Sequence, residues 1–258
     1  MPEKAVITEA MRQKEKVTRP FVNKYSALMD LDPDVIRAII SNESHFVATA
    51  TSPTGAYGYG QFTSIAVKQV QNIARMNPAV ADLVNFSKAE ASDPDRGIKA
   101  ICATLWWLFH VKYASVSDKK TRLEAVLTFY NAGGKAAALV VKYGGHTQAL
   151  PYIKTQLSPT ERSQADVYVP RVIVWFIQWH EFFKSSDPLD SGITTPESTP
   201  DPVTSPSELP EKYKPLLEAL QLLHNDTDGV SITTTSREGM TEINILIPGE
   251  YSGFSIAR

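Results

Sequence analysis

Apolar positions recur at helical spacing through most of the first 186 residues. The pattern predicts helices over roughly 4–16, 20–30, 33–43, 62–76, 94–113, 120–130 and 165–184, with a looser one near 134–142. The clearest is 33–43. Asp32 is a good N-cap and Pro33 a good first helical residue, and an apolar stripe runs through Ile36, Ile39 and Ile40. Glu43 follows that stripe at i+7, i+4 and i+3, which puts one carboxylate on the buried side of the last turn. Around 94–113 the stripe of Ile98, Ile101, Leu105, Trp106 and Leu108 reads as core rather than as a platform for a ligand. Strand-like runs are absent here apart from short pieces.

The pattern changes at Ser185. Residues 187–210 are rich in Pro, Ser, Thr and acidic side chains and read as an extended linker that cannot bury a core. Glu211–His224 then offers an amphipathic helix with Leu216, Leu217, Leu220 and Leu223. Val230–Thr235 and Thr241–Ile247 alternate as strands joined through Ser236-Arg237-Glu238-Gly239. A helix and a hairpin are too little to be stable alone, so 211–258 is expected to be a small docking or oligomerisation segment. The expected organisation is a helical domain over 1–186, the linker over 187–210 and a small α+β appendage over 211–258.

Composition fits a globular protein: 258 residues, 43% hydrophobic and 21% charged. A single cysteine, Cys102, excludes an internal disulfide, and the scattered histidines (His45, His110, His146, His180, His224) do not have metal-ligand spacing. No metal and no cofactor are expected. The net charge of −2 conceals an asymmetry: 22 Lys and Arg against 16 Asp and Glu before residue 187, and 4 against 12 after it. A basic body suits an anionic polymer. The first residues lack the apolar stretch of a signal peptide, and no apolar run is long enough to span a membrane. Synthesis in the cytosol without an export signal is therefore the expectation.

Glu43 is the candidate for chemistry. Apolar surroundings and the negative end of its helix should both raise its pKa, as general-acid cleavage of a glycosidic bond requires. Between Glu43 and Asp82 there is no Asp or Glu. The loop after the acid therefore offers no second carboxylate of the kind that two-carboxylate glycosidases use. Glu90, Asp93 and Asp95 look like capping and surface residues. Other segments bear on Glu43. Ser52-Pro53-Thr54-Gly55-Ala56 is a turn that runs into Gly58-Tyr59-Gly60-Gln61, where glycines let backbone approach a ligand and the Gln61 amide can hydrogen-bond a sugar. Phe129-Tyr130-Asn131-Ala132-Gly133 ends an apolar helix, and Tyr168-Val169 comes later.

In this order, with Glu43-Ser44 first, the set resembles the lysozyme-like lytic transglycosylases of the soluble type, relatives of goose-type lysozyme, over about residues 20–183. The resemblance implies a mainly α, lysozyme-like domain that cleaves peptidoglycan between N-acetylmuramic acid and N-acetylglucosamine. Glu43 would protonate the bridging oxygen and then act as base on the muramoyl C6 hydroxyl, closing a 1,6-anhydro ring. It also implies that Tyr130 hydrogen-bonds and orients Glu43, with Ser52, Gln61 and Asn131 on the sugar. The family usually carries methionine just before the motif glutamine; Gly60 there predicts a roomier cleft floor. Gln164-Ala165 stands for the family's Glu-Thr pair, a change expected to touch packing rather than chemistry. A goose-lysozyme-like hydrolase or phage endolysin, and a non-catalytic wall-binding structural protein, are the alternatives. Without an export signal, such an enzyme resembles bacteriophage proteins carried in the virion to the cell wall. The partners expected are glycan strands and, through the C-terminal segment, virion or secretion-apparatus proteins, with neither nucleic acid nor a membrane span.

Overall fold

The structure, a computed structural model, describes residues 6–158, 165–185, 231–237 and 240–246. Two compact units divide the chain: a helical body, Ile7–Ser191, and a second unit that holds the hairpin. The fold is mainly α, as expected. The body contains α1 (Glu9–Leu28), α2 (Pro33–Ser44), α3 (Ser64–Met76), α4 (Pro94–Trp107), α5 (Lys119–Tyr143), α6 (His146–Gln156) and α7 (Ala165–Ser185). Two 3₁₀ segments, Pro78–Asn85 and Ala89–Ser92, connect α3 to α4, and a π-helical turn, Leu108–Lys112, prolongs α4.

Short polar residues start most of these helices by accepting an otherwise unpaired first-turn N–H. Thr8 accepts from Met11, Asp32 from Asp34, Thr63 from Ala66, Asp93 from Arg96 and Asp118 from Thr121. Glu124 does the same for α6 from a distance: it is buried, and its Oε2 accepts the His146 N–H at 2.7 Å. The hairpin pairs β1 (Ser231–Arg237) with β2 (Met240–Leu246) antiparallel, from Ser231 opposite Leu246 to Arg237 opposite Met240. This matches the two strands expected. The linker 187–210 and the helix expected over Glu211–His224 lie outside the described residues.

Three expectations for the body need correction. The helices expected at 4–16 and 20–30 are one helix, α1, which runs through Pro20. The missing N–H and the ring normally break a helix. Here Glu15 and Thr18 before the proline, and Val22 and Tyr25 after it, are all buried on one side and hold both halves to the core. Likewise 120–130 and 134–142 are one element, α5, interrupted at Gly133, whose φ of 81° only glycine adopts readily. The third concerns α4: Trp106, expected in the core stripe, is half-buried, as is its neighbour Trp107.

The core is built from Ile36, Ile39 and Ile40 of α2, Ile98, Ile101 and Leu105 of α4, and Trp179 of α7, all fully buried. Each such side chain contributes about 1.5–3 kcal/mol by leaving water. The α2–α7 contact is also polar: the Trp179 indole donates to Ser41 Oγ at 2.7 Å, and Ser41 donates to the Arg37 carbonyl. Arg37, 4% exposed, bonds Glu15 of α1 and Asp34 of α2 at 2.9 Å each and lies 4.2 Å from the Phe183 ring centroid. A buried charge is tolerable only when paired in this way. The first, second and last helices of the body are thereby locked together around the segment that ends in Glu43.

Candidate active site

Helix α2 stops abruptly after Ser44. His45 and Phe46 both take left-handed backbone angles, with φ of 50° and 58°. That conformation costs a non-glycine residue about a kcal/mol or more, and such strain gathers at functional sites. Packing holds it: Phe46 is buried edge-on to Trp179, with ring centroids 5.5 Å apart. The turn sends the chain back across the helix end, and Ser44 fastens it there. Its hydroxyl donates to the Tyr59 carbonyl at 2.9 Å, so the residue beside Glu43 clamps the glycine-rich loop.

That loop is a small irregular hairpin. The Ser52 N–H donates to the Ala56 carbonyl across the turn, Ser52 Oγ accepts the Ala56 N–H at 2.9 Å, and Gly55 takes a φ of 82°. Tyr57 pairs with Phe62 through both backbone bonds. Gly58 is indispensable on two counts: its φ is 80°, and a Cβ there would fall 2.3 Å from the Ala91 carbonyl oxygen. Gln61 also has a positive φ, and its amide donates to the Ala50 and Gly58 carbonyls at 2.9 and 3.0 Å. Both donors are spent on the loop, which leaves the amide oxygen as the group able to receive a sugar hydroxyl. Ser52 too is occupied within its own turn. Asn131 is half-buried near the break in α5.

Glu43 is half-buried at the centre of these elements. Protein packed around the carboxyl pushes its pKa up to about 7, chiefly by desolvation, although part of the residue remains open. The Tyr168 hydroxyl donates to Glu43 Oε1 at 2.6 Å, and this bond pulls the other way by favouring the charged form. Among the described residues, the other buried carboxylates have stronger partners: Glu15 has Arg19 and Arg37, Asp34 has Arg37, and Glu124 has the start of α6. Glu43 has a neutral phenol. It is therefore the acid best suited to hold a proton near neutral pH. Asp93 caps α4, Asp95 accepts from Tyr25 at 2.5 Å, and Glu90 bonds Arg96 at 2.9 Å, the structural duties expected of them.

Two expectations for the site are overturned. The hydroxyl on Glu43 comes from Tyr168, whereas Tyr130 donates to the Gly60 carbonyl at 3.1 Å. Nor does Gly60 open space. A Cβ there would lie 2.7 Å from the Tyr130 oxygen, 2.7 Å from Ile101 and 2.8 Å from Phe62. The volume a side chain would fill is already taken, and the glycine is what lets Tyr130 reach the backbone. Tyr168 was visible in the sequence as part of a motif, with nothing local to assign it to Glu43. Among the described residues, no group of three or more His, Cys, Asp and Glu side chains could hold a metal ion, and no helix is long and apolar enough to cross a membrane.

The family model of the transglycosylase SLT domain matches residues 20–152, just over half of the chain. The chain belongs to this family. Its helical body is thus the lysozyme-like class that the motifs implied, and the matched segment holds Glu43, the glycine-rich loop and Tyr130 but ends before Tyr168. Similar solved structures include the 70 kDa soluble lytic transglycosylase of Escherichia coli, with 16% identity over 64% of this chain and 24% of that one, at a TM-score of 0.46. Another is an inactive mutant of the lytic transglycosylase Slt of Pseudomonas aeruginosa, with 19% identity over 66% of this chain and 25% of that one, at 0.45. The SLT chain described here thus spans about a quarter of the length of either. No curated protein matches it.

Proposed function

We propose that this SLT-family chain is a peptidoglycan lytic transglycosylase that cleaves between N-acetylmuramic acid and N-acetylglucosamine and leaves a 1,6-anhydromuramoyl end. The observation that carries the reading is the Glu43 carboxyl, with a pKa of about 7 and the Tyr168 hydroxyl donating to it. In its protonated form it gives its proton to the glycosidic oxygen as the C1–O bond breaks. The carboxylate left behind takes the proton of the muramoyl C6 hydroxyl while O6 bonds to C1. Acid and base are then the same group, returned to its starting state, and no water is consumed.

A loop without Asp or Glu supports this route over a two-carboxylate hydrolysis, which needs a second group across the bond. Tyr168 keeps the carboxyl turned toward the substrate side in both states. Tyr130, Gly60 and Ser44 hold the backbone that forms the opposite wall, and Gln61 and Asn131 are the polar groups offered to the sugar. Digestion of purified peptidoglycan tests the reading: muropeptides should end in 1,6-anhydromuramic acid, one water lighter than the product of a hydrolase. Reducing ends instead would make this a lysozyme-like hydrolase.

We further propose that residues 187–258 dock the enzyme on a larger assembly such as a virion, which would carry it to the cell wall. The support is their composition: a Pro-rich acidic segment followed by sequence too short for a core of its own.

A further inference from the structure

Trp106 and Trp107 leave part of their rings in water near the end of α4, and apolar side chains around them do the same. Trp107 faces the outside of α3, where Ile65 is 79% exposed and Met76 58%. Val111, in the π-helical turn after α4, is 50% exposed. Ile65, Lys68, Asn72 and Met76 follow one another at i, i+3, i+7 and i+11. They therefore form one stripe, about 16 Å long, on the outside of α3. Val67, Val70 and Ile73 bury the other side of the same helix. None of the chemistry above uses this face.

Charge on the face has one sign. Neither residues 44–81 nor residues 96–117 contain an Asp or Glu. The first stretch gives α3 Lys68 and Arg75, and the second gives the π-helical turn Lys112. The Lys112 ammonium lies 5.3, 5.7 and 5.2 Å from the ring centroids of Trp107, Tyr113 and Phe129, so its stem runs over apolar surface while the residue stays exposed. A lysine held in this way can reach an anionic layer while its apolar neighbours enter an oily one. Tryptophan, apolar in body and polar at its N–H, suits the same boundary. Surfaces of soluble proteins intersperse both signs of charge. Cations alone around exposed apolar side chains fit a partner that is uniformly anionic outside and apolar within.

We propose that the outer face of α3, with the end of α4, docks on the surface of an anionic phospholipid bilayer. Helix α3 lies in the plane of the membrane. Ile65, Met76 and the edge of Trp107 enter the boundary of the acyl region, and Lys68, Arg75 and Lys112 meet the phosphates. The contact is peripheral and reversible, and it stands independently of the reaction proposed for Glu43.

Co-sedimentation of the full chain with vesicles tests this, using phosphatidylcholine alone and an equal mixture of phosphatidylcholine and phosphatidylglycerol. Binding should be about tenfold or more tighter to the mixed vesicles and should weaken as salt rises. Lys68→Glu and Ile65→Ser, both at exposed positions where folding is not at risk, should each weaken it about tenfold. Tryptophan fluorescence gives a second readout. Of the four tryptophans, Trp175 and Trp179 are buried, so lipids brominated on their acyl chains should quench Trp106 and Trp107. Trp107→Phe should remove much of that quenching. Failure to bind the mixed vesicles overturns the proposal. So does binding that both Lys68→Glu and Ile65→Ser retain, which would put the contact elsewhere on the chain. Binding lost in Lys68→Glu but kept in Ile65→Ser, without quenching, would mark a general attraction to polyanions and overturn it too.

Discussion

The Tyr168 hydroxyl meets Glu43 Oε1 at 2.6 Å, although 125 residues separate the two in the chain. The tyrosine sits at the start of the last helix of the body and the glutamate in the last turn of the second. The bond therefore exists only because α7 packs along α2 through Trp179 and Ser41. It has two effects on the acid, one on orientation and one on proton affinity, and a single substitution separates them.

Tyr168→Phe should slow glycan cleavage about 10- to 100-fold, the loss of a hydrogen bond worth about 1–3 kcal/mol. The hydroxyl lowers the Glu43 pKa, so removing it should also move the alkaline limb of the pH–rate profile to higher pH. A slower enzyme with an unmoved limb would mean that Tyr168 acts only through packing.

Glu43→Gln should abolish turnover and raise stability in a pH-dependent way. Folding lifts the Glu43 pKa from 4.5 to about 7, so the folded state binds the proton more tightly than the unfolded chain does. The wild type is thus unpenalised below pH 4.5 and loses stability as pH rises toward 7. The glutamine protein has no such loss. Its advantage should be greatest above pH 7, up to about 3 kcal/mol, and should vanish in acid; denaturant melts at several pH values measure it.

Gly60→Ala tests whether the position is filled. Its methyl group would press on Ile101, Phe62 and the Tyr130 hydroxyl. Overpacking of this kind costs about 1–3 kcal/mol, so the melting temperature should drop and cleavage should slow as Tyr130 is displaced from the loop. A neutral alanine would show that the space is open after all.

Truncation after Ser186 should leave an active, folded body, because Glu43, Tyr130, Tyr168 and the core that holds them all precede it. Co-purification with the assembly, or self-association, should decline. Full occupancy by the truncated enzyme would refute the docking role of residues 187–258.

What the sequence revealed was what short-range rules govern. Asp32 and Pro33 start α2, the isoleucines set its buried side, and Glu43 follows at the spacing that turns it inward; β-alternation likewise marked the hairpin. Elements that depend on tertiary support were misread or missed. Pro20 reads as a break, yet α1 continues because both sides of it are buried. Helix α6 shows little amphipathic pattern and contains Pro151; part of its support is the capping carboxylate of Glu124 on another helix. The Glu15–Arg37 pair joins two helices through charges that composition alone assigns to the surface. The partner of Glu43 was hidden for the same reason: two tyrosines stood in the motifs, and only packing decides which of them touches the acid.

That α7 supplies Tyr168 also bears on when the enzyme becomes competent. Chains leave the ribosome N-terminus first and tend to fold in that order. A nascent chain exposes Glu43 long before the helix that orients it has been made, and α2 lacks its Trp179 and Phe183 contacts until then. Activity should arise only as the last turns of the body dock, so a partly synthesised or C-terminally clipped body carries the acid in an unaligned form. For a protein whose proposed substrate is a cell wall, this order of assembly confines the hazard to finished molecules.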